Sequence, residues 1–322
     1  MIQPSVSISR SEGEEGPDRD LTHDAYYAEL ISRNRGLISP QEQELLRNAR
    51  ILVAGCGSVG GAAIEPLVRL GVQHLVLAEP GSYDLANLNR QRAWFSDVGR
   101  SKATVQAERA RDINPFCRVR VEQSGITGAN IDTLTAGADL IIDAVDVTTP
   151  DPIREKIALH THAARHRTPV ISGYDVAGTQ ALLVYNYRDP RVKPLRGRID
   201  PSQAHSTGPL GFLANVVPRS AIPLEIVQEL LRMVRRQDDG FPQLVYTADL
   251  FGVLAARATV ELLAGRPVRR NTVLDVHQLL RPTRSRLRYS VARAVSLLGL
   301  HRDIQLAKRH QHDRPADGWT TV

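Results

Sequence analysis

The chain has 322 residues, 42% of them hydrophobic and 24% charged, with a formal net charge of +6. That balance fits a globular chain with one large α/β domain or two ordinary ones, and no apolar run reaches the roughly 18 residues of a membrane span. Two cysteines, Cys56 and Cys117, cannot build a disulfide framework or a four-cysteine zinc site within one chain.

Residues 1–24 are rich in Ser, Glu, Asp, Gly and Pro and read as a disordered tail; their acidity, with no apolar core, predicts a cytoplasmic protein. A helical pattern starts near His23 and runs through Tyr26, Leu30 and Ile31. Ser39 and Pro40 open a second helix as cap and first residue. Ile51–Ala54 is short, apolar and followed by glycines, as a buried parallel strand is. A helix is expected from Val59 to Leu70, kinked at Pro66 and ended by Gly71. Strands at His74–Ala78, Arg118–Glu122, Ala138–Ala144 and Pro169–Ser172 alternate with helices over 100–113 and 152–166, the latter capped by Asp151. The alternation predicts a doubly wound, mostly parallel α/β sheet of Rossmann-like type, with helices on both faces.

After Gly173 the character changes. Gln180–Tyr187 reads as a strand facing a different layer. Residues 188–220 hold many Pro, Gly and Arg, and are expected to form a long excursion over the nucleotide site. Helices return at 222–236 and 247–264, followed by a strand at Thr272–Asp275. The added C-terminal portion, 281–322, is basic, with a helix whose Leu287, Val291, Val295 and Leu298 share one face.

Gly55-Cys56-Gly57-Ser58-Val59-Gly60 follows a strand and opens a helix. Its glycines permit close backbone approach, and the helix N-terminus offers free N–H groups to phosphate. Glu79, at the end of the next strand, can accept hydrogen bonds from ribose hydroxyls. These features alone specify a nucleotide, and a dinucleotide dehydrogenase would show the same pair. Arg90 and Lys102, close behind in Asn87-Leu88-Asn89-Arg90-Gln91 and Gly99-Arg100-Ser101-Lys102, suit a triphosphate and a departing pyrophosphate. The bland alternative for both is an exposed charge.

The order of these motifs, with Arg33-Asn34, Arg47-Asn48-Ala49-Arg50, Glu79-Pro80 and Ile113-Asn114-Pro115, resembles the ThiF/MoeB/HesA family of ubiquitin-activating-enzyme-like adenylyltransferases. The resemblance is strongest over residues 33–175. It implies an adenylation domain over 25–280, with its nucleotide-binding half at 50–173. It also implies an ATP-dependent enzyme that activates a carboxylate as an acyl-adenylate. By the same resemblance Gly55, Gly57, Ser58 and Gly60 hold ATP phosphates and Glu79 binds ribose. Asn87, Arg90 and Gln91 line the triphosphate, and Lys102 contacts phosphate. Asp146 matches the magnesium-binding aspartate, its alternative being a helix cap. Arg33 resembles an arginine that family dimers insert into the partner's site, which implies a homodimer; its alternative is a plain surface charge.

Three departures stand out. Gly81 replaces a second acid, Val147 replaces a common Asn, and no paired CxxC motifs are present. Many relatives pass the acyl group to a cysteine, but residues 174–322 contain none, and Cys56 and Cys117 read as packing residues. The expected enzyme therefore stops at the acyl-adenylate and leaves attack to another nucleophile, an internal one giving net dehydration. Substrates of the resembled family are a peptide, a ubiquitin-like carrier C-terminus or a small carboxylate, including one on tRNA. Nine Lys or Arg between Arg281 and Arg314 face only Asp303 and Asp313. That would suit RNA or an anionic membrane, but a solvated face on a helix packed by its apolar stripe is preferred. Two other readings remain: an NAD-dependent oxidoreductase, and a non-catalytic scaffold subunit.

Overall fold

The computed structural model describes residues 21–199, 207–228 and 242–312. The expected tail over 1–20, most of the expected helix over 222–236, and the last ten residues lie outside them.

The elements in chain order are α1 (His23–Leu30), α2 (Pro40–Asn48), β1 (Arg50–Ala54), α3 (Ser58–Arg69), β2 (His74–Ala78), α4 (Lys102–Ile113), β3 (Arg118–Glu122), α5 (Ile131–Ala136), β4 (Leu140–Asp143), α6 (Pro150–Arg165), β5 (Val170–Val176), β6 (Thr179–Tyr185), α7 (Pro209–Val216), α8 (Val245–Leu263), β7 (Asn271–Asp275), α9 (Val276–Leu280) and α10 (Thr283–His312). One seven-stranded sheet runs in the order β3-β2-β1-β4-β5-β6-β7. Its first five strands are parallel; β6 pairs antiparallel with β5, and β7 antiparallel with β6. The order reverses direction between β1 and β4, so a crevice opens beyond their C-terminal ends, where ligands bind in such folds.

The core lies on both faces of the sheet, because strand side chains alternate. Ile51 and Val53 of β1 join Leu46, Ile64, Leu67 and Phe251 under α2, α3 and α8. Leu52 and Ala54 point the other way, toward Ile153, Ile157 and Phe212 under α6 and α7. The helix α8 crosses α3 closely at Gly252, where an added Cβ would lie 2.2 Å from the Ala62 carbonyl oxygen. Local signals act as expected at α2. Ser39 Oγ accepts from the Glu42 N–H at 3.3 Å, and Glu42 returns an acceptor to the Ser39 N–H at 2.7 Å.

Several expectations need correction. The strand after Gly173 does not face another layer: β6 folds back antiparallel on β5 in the same sheet, through a two-residue turn at Ala177-Gly178. The helix α6 starts at Pro150 with Thr149 at its N-cap; Asp151 sits in the first turn and pairs with Arg154. The described residues of the excursion after 188 pack onto the fold. They bury Leu195, Ile199 and Phe212 in the α6-side core and contain α7. The C-terminal helix does not pack by its apolar stripe either. Leu287, Val291 and Val295 are each about two-thirds exposed, while Tyr289 and Arg293 on the opposite side bond to Glu225 and to the Ile222 carbonyl. No described helix is long and apolar enough to cross a membrane.

Candidate active site

The site is built at the C-terminal ends of β1, β2, β4 and β5. The chain leaves β1 through Gly55 at φ +89°, where a side chain would lie 2.3 Å from the Ala144 carbonyl oxygen. A Cβ at Gly60 would overlap the Gly55 carbonyl oxygen at 1.9 Å. Only glycine fits at either position, so the loop is pressed against the turn after β4. Gly57 caps α3 with no side-chain bond to the first turn. The first amides of α3 therefore stay available to an anion.

Glu79 closes the other side of the loop. Its Oε2 accepts from the Cys56 N–H at 2.8 Å and its Oε1 from the Gly81 N–H at 2.7 Å. A Cβ on residue 81 would come within 2.8 Å of Oε1. Gly81 thus leaves room for the Glu79 carboxylate beside it. Lys102 opens α4 with its N–H bonded to the Gly81 carbonyl, and its ammonium lies above the Tyr83 ring.

Arg90 ends a 3-10 turn over Leu85–Asn89 and donates to the Ala86 carbonyl and to Asn89 Oδ1. Its Nε is buried and unpartnered. Burial lowers its pKa, and the charges of Asp175 and Asp146 oppose that shift. Asn87 uses its Oδ1 to accept from the Asp84 N–H, a local turn bond. Gln91 lies over Gly57, 3.7 Å from the position of an added Cβ, and its buried Oε1 has no partner. Asp146 curls onto its own chain, accepting from the Val147 and Thr148 N–H groups at 2.7 and 3.0 Å and from Thr148 Oγ1 at 2.6 Å. It closes its own turn and does not cap α6.

Arg33 is exposed on a 3-10 turn, beside an 82% exposed Leu37. Its neighbour Asn34 bonds to the Leu70 carbonyl at the far end of α3. Twelve residues of α3, roughly 18 Å, separate that end from the glycine loop. The chain's own Arg33 is therefore held away from its own site. Both cysteines are buried; burial pushes the Cys56 thiol well up and the Cys117 thiol to about 12, which leaves neither a ready thiolate.

Two groups escaped the sequence reading. The first is a buried cluster around Asp143, the last residue of β4. Asp143 Oδ2 accepts from Lys156 Nζ at 2.7 Å, His160 Nε2 at 3.0 Å and Ser172 Oγ at 2.6 Å. Burial would raise the carboxyl, but Lys156 and His160 outweigh it and hold Asp143 below the usual range. His160 is lowered by burial, and its Nδ1 accepts from the Tyr187 hydroxyl at 2.7 Å. The spacing of Lys156 and His160, four apart on the apolar face of α6, was the available signal. The second is Asp175 on β5. Ser58 Oγ donates to its Oδ2 at 2.9 Å, and its Oδ1 is buried without a partner. Burial raises its pKa to about 6, against the Ser58 bond and Arg90. Alternation with Gly173 on a buried strand was the sole hint of its direction.

The fold and loop define a Rossmann-like protein of the nucleotide-binding kind. The chain belongs to the ThiF family, whose pattern matches residues 31–294. It is 34% identical over 165 residues to tRNA threonylcarbamoyladenosine dehydratase of Escherichia coli (strain K12), a match covering 48% of this chain and 60% of that protein. The same-named protein of Bacillus subtilis (strain 168) is 34% identical over 178 residues, 52% of this chain and 68% of its own. The solved structure of the E. coli dehydratase in complex with AMP superposes with a TM-score of 0.54 at 25% identity, over 76% of this chain and 98% of that one.

Asp175 yields a pH prediction. Its folded pKa, about 6, lies above the unfolded value near 3.9. The native state therefore holds its proton more tightly, and stability is lost as pH rises through the folded value. Asp175→Asn should stabilise the protein by about 2 kcal/mol at pH 7.5 and leave it unchanged near pH 4. Urea denaturation at the two pH values measures this; equal effects at both would contradict the assignment.

Proposed function

We propose that this chain is an ATP-dependent adenylyltransferase that activates a carboxylate as an acyl-adenylate, releases pyrophosphate, and uses no cysteine nucleophile. The observation that carries the reading is the open N-terminus of α3, ringed by Glu79, Arg90 and Lys102 in a ThiF-family chain. The loop amides, Arg90, Gln91 and Lys102 would hold the triphosphate, and Glu79 the ribose through the free lone pairs of its oxygens. Asn87 shapes the turn that presents Arg90. A substrate carboxylate is already ionised at neutral pH, so the residues need to align it, offset its repulsion from ATP and stabilise the leaving pyrophosphate.

Magnesium fits the residues present. Asp146 offers hard carboxylate oxygens at an exposed turn, and magnesium is commonly held by one or two carboxylates together with substrate phosphates. When bound there, the ion would supply positive charge beside the α-phosphate.

Among acyl substrates, a small carboxylate borne on a nucleic acid or another carrier is the favoured class. The two dehydratase relatives carry a name that describes a net loss of water. Adenylation followed by attack of an N–H or O–H on the same substrate gives that result: the new bond forms at the acyl carbon, AMP leaves with the carboxylate oxygen, and a proton is released. This route needs no enzyme thiol, in keeping with the buried Cys56 and Cys117.

Pyrophosphate–ATP exchange with a panel of carboxylates, carrier proteins and tRNA tests the reading. Exchange should depend on magnesium and fall at least 100-fold in Asp146→Ala. Calorimetry should show ATP binding in preference to NAD. NAD binding without ATP binding, or exchange unchanged in Asp146→Ala, would contradict it.

We further propose a homodimer in which Arg33 of one protomer completes the partner's site, supported by its distance from its own loop and by the exposed Leu37 beside it. Arg33→Ala and Asp146→Ala chains should each be nearly inactive. Co-assembled mixed dimers should recover activity at one intact site. A monomer in solution, or no recovery on mixing, would count against a shared site.

A further inference from the structure

At the other end of α6, away from the nucleotide loop, three ligand-type side chains converge. His162 and His166 stand four residues apart, one helical turn, on the same side of the helix. Asp132, in the first turn of α5, meets them both. Its Oδ1 lies 2.9 Å from His162 Nδ1 and 2.9 Å from His166 Nε2. The three ligand atoms all fall within 4.8 Å of one another, the one such group of three or more among the described residues. The fold's established elements do not call for this meeting: α5 and α6 already pack through buried Ile131, Leu134 and Ile157.

We propose that Asp132, His162 and His166 form a binding site for a divalent transition-metal ion of the zinc class, separate from the nucleotide site. Two imidazoles and one carboxylate are a borderline nitrogen–oxygen set that suits zinc and its neighbours rather than magnesium or calcium. Three protein ligands leave a fourth position for water. Zinc bonds of about 2.0–2.2 Å at tetrahedral angles put donors roughly 3.4 Å apart. The present separations need to open by about half an ångström for that geometry. The side chains can give that much, since His162 and His166 are partly exposed and Asp132 is 60% exposed. Arg165 lies 3.7 Å from Asp132 and opposes a cation, but its side chain is 64% exposed and free to turn into solvent.

The site's place in the fold sets its role. About 18 Å of helix separates Pro150, at the nucleotide end of α6, from His162. An ion there would touch neither ATP nor its magnesium. It would pin α5 to the end of the helix that carries Lys156 and His160.

Calorimetric titration of zinc chloride into the metal-free, untagged full chain tests this. We expect one site per chain with a Kd of about 10 µM or tighter. His162→Gln and His166→Gln should each weaken it by about tenfold or more. Zinc should raise the Tm of the parent but not of His162→Gln, and magnesium chloride should leave both unchanged. The proposal is overturned if no saturable zinc binding occurs below about 100 µM. It is equally overturned if both variants keep full affinity, which would put the ion on other histidines.

Discussion

A single buried carboxylate organises the C-terminal edge of the parallel strands. Asp143 is fully buried, and an ion in that position is stable only with excellent pairing. Lys156, His160 and Ser172 provide it from α6 and β5. The consequences reach the next three residues. Lys156 also donates to the Val145 carbonyl, so the ammonium that neutralises Asp143 also fixes the turn that follows. Ala144 in that turn is the surface against which Gly55 is pressed, and Asp146 stands at its far side. The glycine loop and the proposed metal-binding aspartate are thus registered to each other by one ion pair beneath them. The network extends outward through His160 and Tyr187, whose hydroxyl accepts the Leu195 N–H, and so anchors the chain leaving β6.

Asp175 shows the opposite arrangement. It is nearly as buried, but has a hydroxyl where Asp143 has an ammonium, and its second oxygen has no partner. At neutral pH such a group costs stability. That cost falls beside Ser58, the first residue of α3 and part of the glycine loop. Asp143 is paired on every side beneath the strand ends, whereas Asp175 keeps one buried oxygen without a partner.

Much of the fold could be read from the sequence because the parallel half obeys local rules. The glycine loop, the acid after β2 and the strand–helix alternation are each encoded within a few residues. The antiparallel half is not. The direction of β6 depends on a two-residue turn in which Ala177 takes φ +51°, a conformation no propensity scale assigns to alanine. The helix α5 has six residues, too few for a period to emerge. Asp143 and Asp175 lie on strands buried on both faces, where alternation carries no polar signal. The exposed stripe on α10 misled for a related reason: periodicity shows that one face is apolar, but not whether anything covers it.

The Asp143–Lys156 pair is what holds the strand-end turn in place. A double-mutant cycle by urea denaturation tests it most directly. Lys156→Met alone strands a buried charge and should cost about 3–5 kcal/mol, while Lys156→Met combined with Asp143→Asn should recover most of that loss. Additive effects of the two substitutions, or a Lys156→Met protein within about 1 kcal/mol of the parent, would contradict the account.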